Sequence, residues 1–169
     1  MWYIASMTPA LPSCQENSAH NSVQVPTLWY DGKEGEGVCA VERAEFSSIR
    51  RYLGKTQSQL AQLLGISPKA VQSFEQGWRK TPVHTERQVL LLVALKNMAV
   101  ARKNGPCWAR RKCPVEIKQN CPAWEFKAGH LCWFINGTIC QGRVRESWRK
   151  KMKLCRQCKV FRNILPPLR

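Results

Sequence analysis

Residues 56–82, TQSQLAQLLGISPKAVQSFEQGWRKTP, decide how the middle of this 169-residue chain folds. Thr56 is a good N-cap, and Leu60 and Leu64 then recur at helical spacing and form one apolar face. Gly65 is typical of a residue that ends a helix, because glycine adopts a positive φ without strain. The stretch therefore predicts a short helix and a tight turn, followed by a second helix.

The second helix is predicted to begin at Ser67, which caps it, with Pro68 in its first turn, where a missing N–H costs nothing. Val71 and Phe74 are expected to turn inward. The residues expected to turn outward are Lys69, Gln72, Ser73 and Gln76. This outward face carries one positive charge and no acid, so it suits base edges and phosphates. A helical hairpin in some other all-α domain is the alternative.

Basic residues are concentrated toward the end of the chain. The formal net charge is +16, and residues 99–169 hold seventeen bases against three acids. A surface of this kind attracts polyanions whatever the fold, without separating DNA from RNA or from acidic membranes. Directly after the second helix, Arg79 and Lys80 provide a basic exit.

Residues 46–82 resemble the helix-turn-helix of the Cro and phage-repressor family, often called XRE-like, through LGKTQSQLAQLLGIS, AVQSFEQG and the exit RKTP. The resemblance implies an ion pair between Arg50 and Glu75, a phosphate contact by Gln57, and dimeric binding to double-stranded DNA. It places the base-reading positions at Pro68, Lys69 and Ser73, and Pro68 departs from the family by offering no side-chain hydrogen bond. The complete predicted DNA-binding set is Gln57, Ser67, Lys69, Gln72, Ser73, Gln76, Arg79 and Lys80.

Residues 1–40 are rich in Ser, Pro, Asn and Gln and have no apolar period, which predicts a disordered extension. A basic n-region is missing, so we expect no signal peptide. No stretch approaches the roughly 18 apolar residues of a membrane span. We therefore expect a cytoplasmic protein without a membrane partner.

A linking helix is predicted over residues 85–104. Thr85 and Gln88 form a capping box at its start, and Gly105 follows its end. Residues 89–95 are seven apolar residues in a row, and such a run must be covered on several faces. The cover is either the rest of this chain or a second copy, and the family resemblance favours a homodimer.

Seven cysteines lie within 52 residues of the C-terminal third: Cys107, Cys113, Cys121, Cys132, Cys140, Cys155 and Cys158. In a cytosolic DNA-binding chain this density indicates a metal or redox centre, because that compartment keeps thiols reduced. Cysteines that merely pack in a core are the alternative. The odd number disfavours complete pairing in disulfides.

The cysteine spacing favours an iron–sulfur cluster over zinc. Only Cys155 and Cys158 form a C-x2-C pair, whereas zinc ribbons use two such pairs. These two are expected ligands, and Cys113, Cys121 and Cys140 are favoured over the two cysteines that precede tryptophans. His130 is a candidate for a mixed zinc site. The aromatic residues near the cysteines either shield a cluster or form an ordinary core.

The pattern CW-x4-C, CPAW, CW-x6-C and CRQCKVF, over residues 107–161, is similar to the bacterial two-CW cysteine-rich domain. That resemblance implies a sensory or regulatory module. The chain contains no phosphate-cradling glycine loop and no H-E-x-x-H motif, so we do not expect an enzyme.

The sequence thus predicts an all-α helix-turn-helix domain followed by a small, irregular, metal-stabilised cysteine-rich domain. The expected function is a transcriptional regulator with a redox- or metal-sensing centre, and the alternative is a DNA-binding or partner-docking protein with structural zinc. The predicted segments are an extension (1–40), a DNA-binding domain (41–84), a linking helix (85–104), a cysteine-rich domain (105–161) and a tail (162–169).

Overall fold

The computed structural model describes residues 41–165 of the chain. These residues contain ten helices and no extended strand. The helices are α1 (Arg43–Leu53), α2 (Gln57–Leu64), α3 (Pro68–Gln76), α4 (Val83–Lys96), α5 (Met98–Lys103), α6 (Cys107–Arg110), α7 (Val115–Gln119), α8 (Pro122–Glu125), α9 (Trp148–Cys155) and α10 (Lys159–Arg162). The predicted helical class is confirmed for these residues. The predicted extension lies outside them, as do residues 166–169.

The boundaries of α2 and α3 follow the sequence signals. Thr56 Oγ1 accepts the N–H of Gln59 at 3.2 Å, and Gln59 Oε1 accepts the N–H of Thr56 at 3.0 Å, which makes a complete capping box. Gly65 ends α2 with a φ of 64°. Ser67 Oγ then accepts the N–H of Ala70 at 3.2 Å and starts α3. The predicted helix, turn and second helix are therefore confirmed.

The first three helices pack around a small apolar centre. Leu60, Leu64, Val71 and Phe74 are buried, as predicted from their spacing. The rings of Phe46 and Phe74 meet edge to face with their centroids 5.6 Å apart. An aromatic pair of this geometry stabilises a core by roughly 0.5–1.5 kcal/mol beyond the area it buries.

Helix α4 begins two residues earlier than the sequence predicted. Pro82 precedes its first residue, and the N–H of Glu86 bonds to the Pro82 carbonyl at 2.9 Å to close the first turn. Thr85 therefore lies inside the helix, where its side chain is buried, so the predicted capping box at Thr85 is wrong. A proline just outside the helix starts it instead, because its fixed φ suits the entry to a helix.

The linking helix predicted over residues 85–104 is broken at Asn97, which separates α4 from α5. The Asn97 side chain explains the break, because it bonds to two distant parts of the chain. Its Oδ1 accepts the hydroxyl of Tyr52 at 2.6 Å, and its Nδ2 donates to the carbonyl of Ile164 at 2.8 Å. Ile164 is itself fully buried, so the predicted C-terminal tail begins within the core.

The apolar run of α4 is covered largely by the rest of the chain. Val89, Leu90, Val93 and Ala94 are fully buried, and the two leucines between them pack partly against the same core. Leu95 is 53% exposed. Intrachain burial thus accounts for most of the run, and a homodimer stays a prediction. Among residues 41–165, no helix is both long and apolar enough to cross a bilayer.

One continuous apolar core joins the N-terminal segment (residues 41–96) to the cysteine-rich segment (residues 107–165). Trp133 lies near its centre, with Phe161 and Phe134 meeting it edge to face at 5.2 and 5.7 Å. These three rings therefore belong to an ordinary core, which is one of the two alternatives that the sequence left open. The two segments therefore pack against each other through one shared core.

Candidate metal centre and nucleic-acid interface

A cavity of about 270 Å³ lies within the cysteine-rich segment. Its wall includes all seven cysteines of the described region: Cys107, Cys113, Cys121, Cys132, Cys140, Cys155 and Cys158. All seven are free thiols. Residues as far apart in sequence as Cys107 and Cys158 thus face one space, which their irregular spacing alone did not predict.

The C-R-Q-C sequence forms one tight turn. Cys155 is the last residue of α9 and Cys158 is the N-cap of α10, with the N–H of Cys158 bonded to the Cys155 carbonyl at 2.9 Å. Both cysteines are buried. The turn therefore presents two thiols to the cavity from a single short piece of backbone, as the C-x2-C spacing predicted.

A second tight turn places Cys140. The N–H of Cys140 bonds to the carbonyl of Arg143 at 3.0 Å, and the reverse bond measures 3.3 Å. The two residues between them, Gln141 and Gly142, have φ values of 54° and 71°. Positive φ at both central positions is the pattern of a type I′ turn, which favours glycine.

Close packing around Gly129 places Cys107. The N–H of Cys107 bonds to the Gly129 carbonyl at 3.0 Å. A Cβ at position 129 would lie 2.5 Å from Pro106 and 2.6 Å from Trp108, so only glycine fits there. The Trp108 ring in turn meets Trp124 edge to face at 4.9 Å, and both rings line the cavity.

Burial favours the protonated form of two thiols in the cavity wall, Cys155 and Cys140. Burial raises the pKa of Cys155 to about 12 and also raises the pKa of Cys140. A hydrogen bond between Cys107 and Cys132 raises the pKa of Cys132 and lowers the pKa of Cys107. A metal bound here would have to displace these protons, because thiolates are the ligands.

The cysteine thiols in the cavity wall interact with one another electrostatically. Cys132 interacts electrostatically with Cys107, Cys140 and Cys155, and Cys140 also interacts with Cys158. Cys113 interacts with both Cys121 and Cys107. All seven cysteines thus belong to one network of interacting thiols, and the sequence-based preference for Cys113, Cys121 and Cys140 over the two cysteines that precede tryptophans stays a prediction.

The side chains that line the cavity, as far as the described residues go, form no site for a single metal ion. Among residues 41–165, no three His, Cys, Asp or Glu side chains converge closely enough to hold a single ion. Tetrahedral zinc, with Zn–S bonds of ~2.3 Å, would bring sulfur atoms to within ~3.8 Å of one another. A cluster would spread its thiolate ligands over two or more irons, so those ligands could lie farther apart than the ligands of a single zinc. Thiols are the donors that a thiolate-ligated centre would need, and such a centre stays a prediction.

His130 is not part of the cavity wall. It lines a separate, small depression together with Asn163 and Ile164. Burial lowers the pKa of His130, and the nearby Arg102 lowers it further. The proposed role of His130 in a mixed zinc site is therefore not supported by its position.

Cationic side chains also line the cavity, and its wall within the described residues includes no carboxylate. The four cations are Arg111, Lys118, Arg145 and Lys151. Of these four, only Lys151 is buried, and the sequence analysis did not identify it as a cavity residue. A signal existed, because Lys151 lies three residues after Trp148 and four before Cys155, on the buried face of α9.

The outward face of α3 is the candidate nucleic-acid interface. The predicted DNA-binding residues that are exposed are Ser67, Lys69, Gln72, Gln76, Arg79 and Lys80. Ser73 is a correction, because its side chain is only 9% exposed and its hydroxyl donates to the Lys69 carbonyl at 2.8 Å. A serine inside a helix can bond back to the carbonyl four residues earlier, and Ser73 does so instead of facing outward.

The predicted ion pair between Arg50 and Glu75 is present and anchors α3. Arg50 Nε lies 2.6 Å from Glu75 Oε1, and Gln57 Nε2 donates to Oε2 at 2.6 Å. Burial alone would raise the pKa of Glu75, but hydrogen bonds from Arg50 and Gln57 and the Arg50 charge outweigh it and lower the pKa. Gln57 therefore uses one of its two amide donors inside the chain, and the predicted phosphate contact would fall to the other.

Two arginines connect the cysteine-rich segment to the N-terminal segment. Arg156, inside the C-R-Q-C turn, forms a bidentate pair with Glu45 of α1, with N–O distances of 2.8 and 2.9 Å. Arg87 of α4 donates to the Phe134 carbonyl at 2.7 Å, and its guanidinium lies 4.8 Å from the Phe134 ring centroid. The turn that carries two thiols is thus tied directly to α1.

A buried acid lies at the same junction. Glu86 of α4 is 1% exposed, and burial raises its pKa to about 7. The Trp148 indole and the charge of Arg156 lie close enough to lower that pKa slightly. Among the described residues, however, Glu86 Oε1 makes no hydrogen bond of normal geometry.

We expect Glu86→Gln to stabilise the fold at pH 8 by up to about 3 kcal/mol and to change little at pH 4. Below pH 4.5 the carboxyl is protonated in both the folded and the unfolded chain. As pH rises toward 7 the unfolded chain ionises first, so Glu86 progressively destabilises the fold. Urea unfolding at both pH values measures the difference, with exposed Glu125→Gln as the control. An equal effect of Glu86→Gln at both pH values would contradict the assignment.

No protein-family model matches this chain, and searches of curated proteins and of solved structures returned no match. The two family resemblances therefore stay expectations drawn from sequence motifs. The functional argument rests on the geometry of the described residues.

Proposed function

We propose that this protein is a sequence-specific, double-stranded DNA-binding transcriptional regulator whose binding helix is controlled by a thiolate-ligated redox- or metal-sensing centre. The observation that carries the proposal is the cavity surrounded by seven thiols, whose C-R-Q-C turn is ion-paired to α1. A centre of this kind needs reduced thiols, which fits the cytoplasm. The proposal is for a regulator rather than an enzyme.

The exposed face of α3 supports DNA as the partner. Lys69, Gln72 and Gln76 offer donors and acceptors without any acid, and Arg79 and Lys80 continue the basic surface beyond the helix. Base edges in the major groove need such side chains, and phosphates need the cations. A homodimer would place two copies of α3 about one helical turn of DNA apart.

An iron–sulfur cluster is the favoured group at the cavity, and zinc is the alternative. The volume of about 270 Å³ and the seven cysteines in the wall support a group larger than one ion. When bound, a cluster supplies a one-electron change in charge. The Trp108 and Trp124 rings would limit the access of water to it.

We propose that the C-R-Q-C turn links the state of the centre to the position of the DNA-binding helix. Cys155 and Cys158 hold the ends of the turn, and Arg156 between them holds Glu45. Loss of the centre would release the turn, because metal binding and local folding are linked. The position of α1, and with it the anchor of α3 through Arg50, would then change.

The DNA assignment is tested with two lysine variants. We expect Lys80→Ala to weaken binding to all sequences about equally and to reduce the salt slope of log K by about one, because one phosphate contact is lost. Lys69→Ala is expected to change the preference among sequences. Binding is measured by fluorescence anisotropy on selected and scrambled duplexes over a range of salt, with exposed Lys127→Ala as the control. If Lys69→Ala and Lys80→Ala both bind like the parent, α3 is not the recognition helix.

A partner-docking protein with structural zinc is the second candidate. Anaerobic purification followed by iron, zinc and acid-labile sulfide analysis separates the two. A brown protein containing iron and sulfide supports the sensor. A colourless protein with zinc, whose removal leaves DNA affinity unchanged, supports the docking protein.

A further inference from the structure

Trp78 is the most exposed large apolar side chain among the described residues, at 71%. It follows the end of α3 directly after Gly77, which ends that helix with a φ of 78°. Residues 76–80 are all exposed, so the indole lies in a continuous exposed segment at the end of the proposed recognition helix. An indole in water is unfavourable, because its ring is a large apolar area, and exposed tryptophans are enriched where a partner binds.

The way α3 ends explains why this ring is left uncovered. The N–H of Trp78 bonds to the Ser73 carbonyl at 3.0 Å. The N–H of Gly77 bonds to the Phe74 carbonyl at 3.2 Å, and the two bonds together form a Schellman motif. In that motif the residue at the position of Trp78 often packs against an apolar residue at the position of Ser73. Ser73 is small and polar, so the backbone is fixed while the indole stays exposed.

The charges beside Trp78 select the kind of partner. Arg79 and Lys80 follow it directly and are exposed, and the ion pairs formed within residues 41–165 involve other cations. A second copy of the chain would bring the same two cations to the same surface, where like charges repel one another. The backbone of DNA instead alternates phosphates, which attract the cations, with deoxyribose rings, which offer an apolar face.

We propose that Trp78 contacts DNA beside the bases that face α3, with its indole against a deoxyribose ring and with Arg79 and Lys80 on the adjoining phosphates. This inference rests on the proposed DNA binding and adds an apolar contact to it. Aromatic contacts strengthen nucleic-acid binding with little sequence preference. An apolar contact also releases no counterions, so its loss should lower affinity and leave the salt dependence unchanged.

The test compares Trp78→Ala with Trp78→Phe in the full-length protein, by fluorescence anisotropy on selected and scrambled duplexes over a range of salt. We expect Trp78→Ala to bind both duplexes about tenfold more weakly, as expected for one lost aromatic contact. Its slope of log K against log salt should match the parent, whereas Lys80→Ala reduces the slope by about one. Trp78→Phe keeps a ring and should recover most of the affinity. Phe126→Ala, which removes another exposed ring outside the cavity wall, is the control and should bind like the parent.

Sedimentation velocity and urea unfolding of Trp78→Ala complete the test, and we expect both to match the parent because the ring is exposed. A Trp78→Ala protein that binds DNA like the parent, while a Lys69→Ala or Lys80→Ala protein binds more weakly, overturns the inference and leaves the DNA assignment standing. Weaker binding that accompanies dissociation of a dimer assigns the ring to a second copy of the chain and also overturns the inference. If neither lysine variant changes binding, α3 is not the recognition helix and the proposed function itself fails.

Discussion

Replacing Glu75 with alanine is expected to lower the free energy of unfolding by about 3–5 kcal/mol, the usual cost of removing one partner from a buried ion pair. The Glu75 side chain is 6% exposed and accepts hydrogen bonds from Arg50, Gln57 and Ser47. Alanine would leave the Arg50 charge without its carboxylate in a partly buried site. Urea denaturation at pH 7, followed by circular dichroism, measures the change.

Glu146→Ala is the control, because Glu146 and Lys150 form a fully exposed pair on the surface. Exposed pairs of this kind contribute little, so we expect no measurable change. If Glu75→Ala behaved like Glu146→Ala, the pair would not stabilise the fold.

The same pair makes a prediction about acid. The pKa of Glu75 is lowered in the fold, so its stabilisation is complete above its ordinary value of 4.5. That stabilisation is lost as pH falls through the lowered pKa, because the unfolded chain takes up the proton first. The difference between the parent and Glu75→Ala should therefore shrink in strong acid.

Local signals in the sequence were sufficient to predict how α2 and α3 begin and where α2 ends. Thr56, Gly65 and Ser67 each act within four residues of themselves, and each makes the cap that its type predicts. Two predictions in this region were wrong, the outward direction of Ser73 and the capping box at Thr85, and both have local causes. Ser73 bonds back to its own helix, and Pro82 starts α4 before Thr85 can cap it.

Contacts between distant parts of the chain were beyond prediction. Glu45 and Arg156 are 111 residues apart, and nothing in the sequence near either one names the other. The convergence of seven cysteines depends on several short turns, including those at Cys140 and Cys155, rather than on one motif. Only the C-x2-C pair, with both sulfurs on one turn, could be placed from spacing.

Cys155→Ser and Cys158→Ser test the proposed link between the thiolate centre and the proposed DNA-binding helix α3. We expect each variant to lose its metal, because serine is a poor ligand for the soft ions that thiolates bind. The cysteine-rich segment should then become sensitive to protease, since the cavity loses the group that links its walls. Metal analysis and limited proteolysis measure both effects.

We also expect operator affinity to fall in both cysteine variants. Arg156 lies between the two cysteines, so release of their turn frees Glu45 of α1, which packs against α3. The helices of the N-terminal segment should persist, because Leu60, Leu64, Val71 and Phe74 keep their own packing. Circular dichroism with DNA titration separates loss of fold from loss of control.

Glu45→Gln tests whether the ion pair itself carries the signal. It removes the charge that holds Arg156 and leaves every cysteine in place, so we expect the metal content to match that of the parent. We also expect metal loss to change DNA affinity less in this variant than in the parent. Glu42→Gln, an exposed acid just before α1, makes the same change in charge and is the control. If cysteine variants without metal bind DNA like the parent, the sensor proposal fails and the structural-zinc or docking protein is favoured. If they lose affinity and Glu45→Gln leaves the coupling intact, the signal instead passes through the shared apolar core around Trp133.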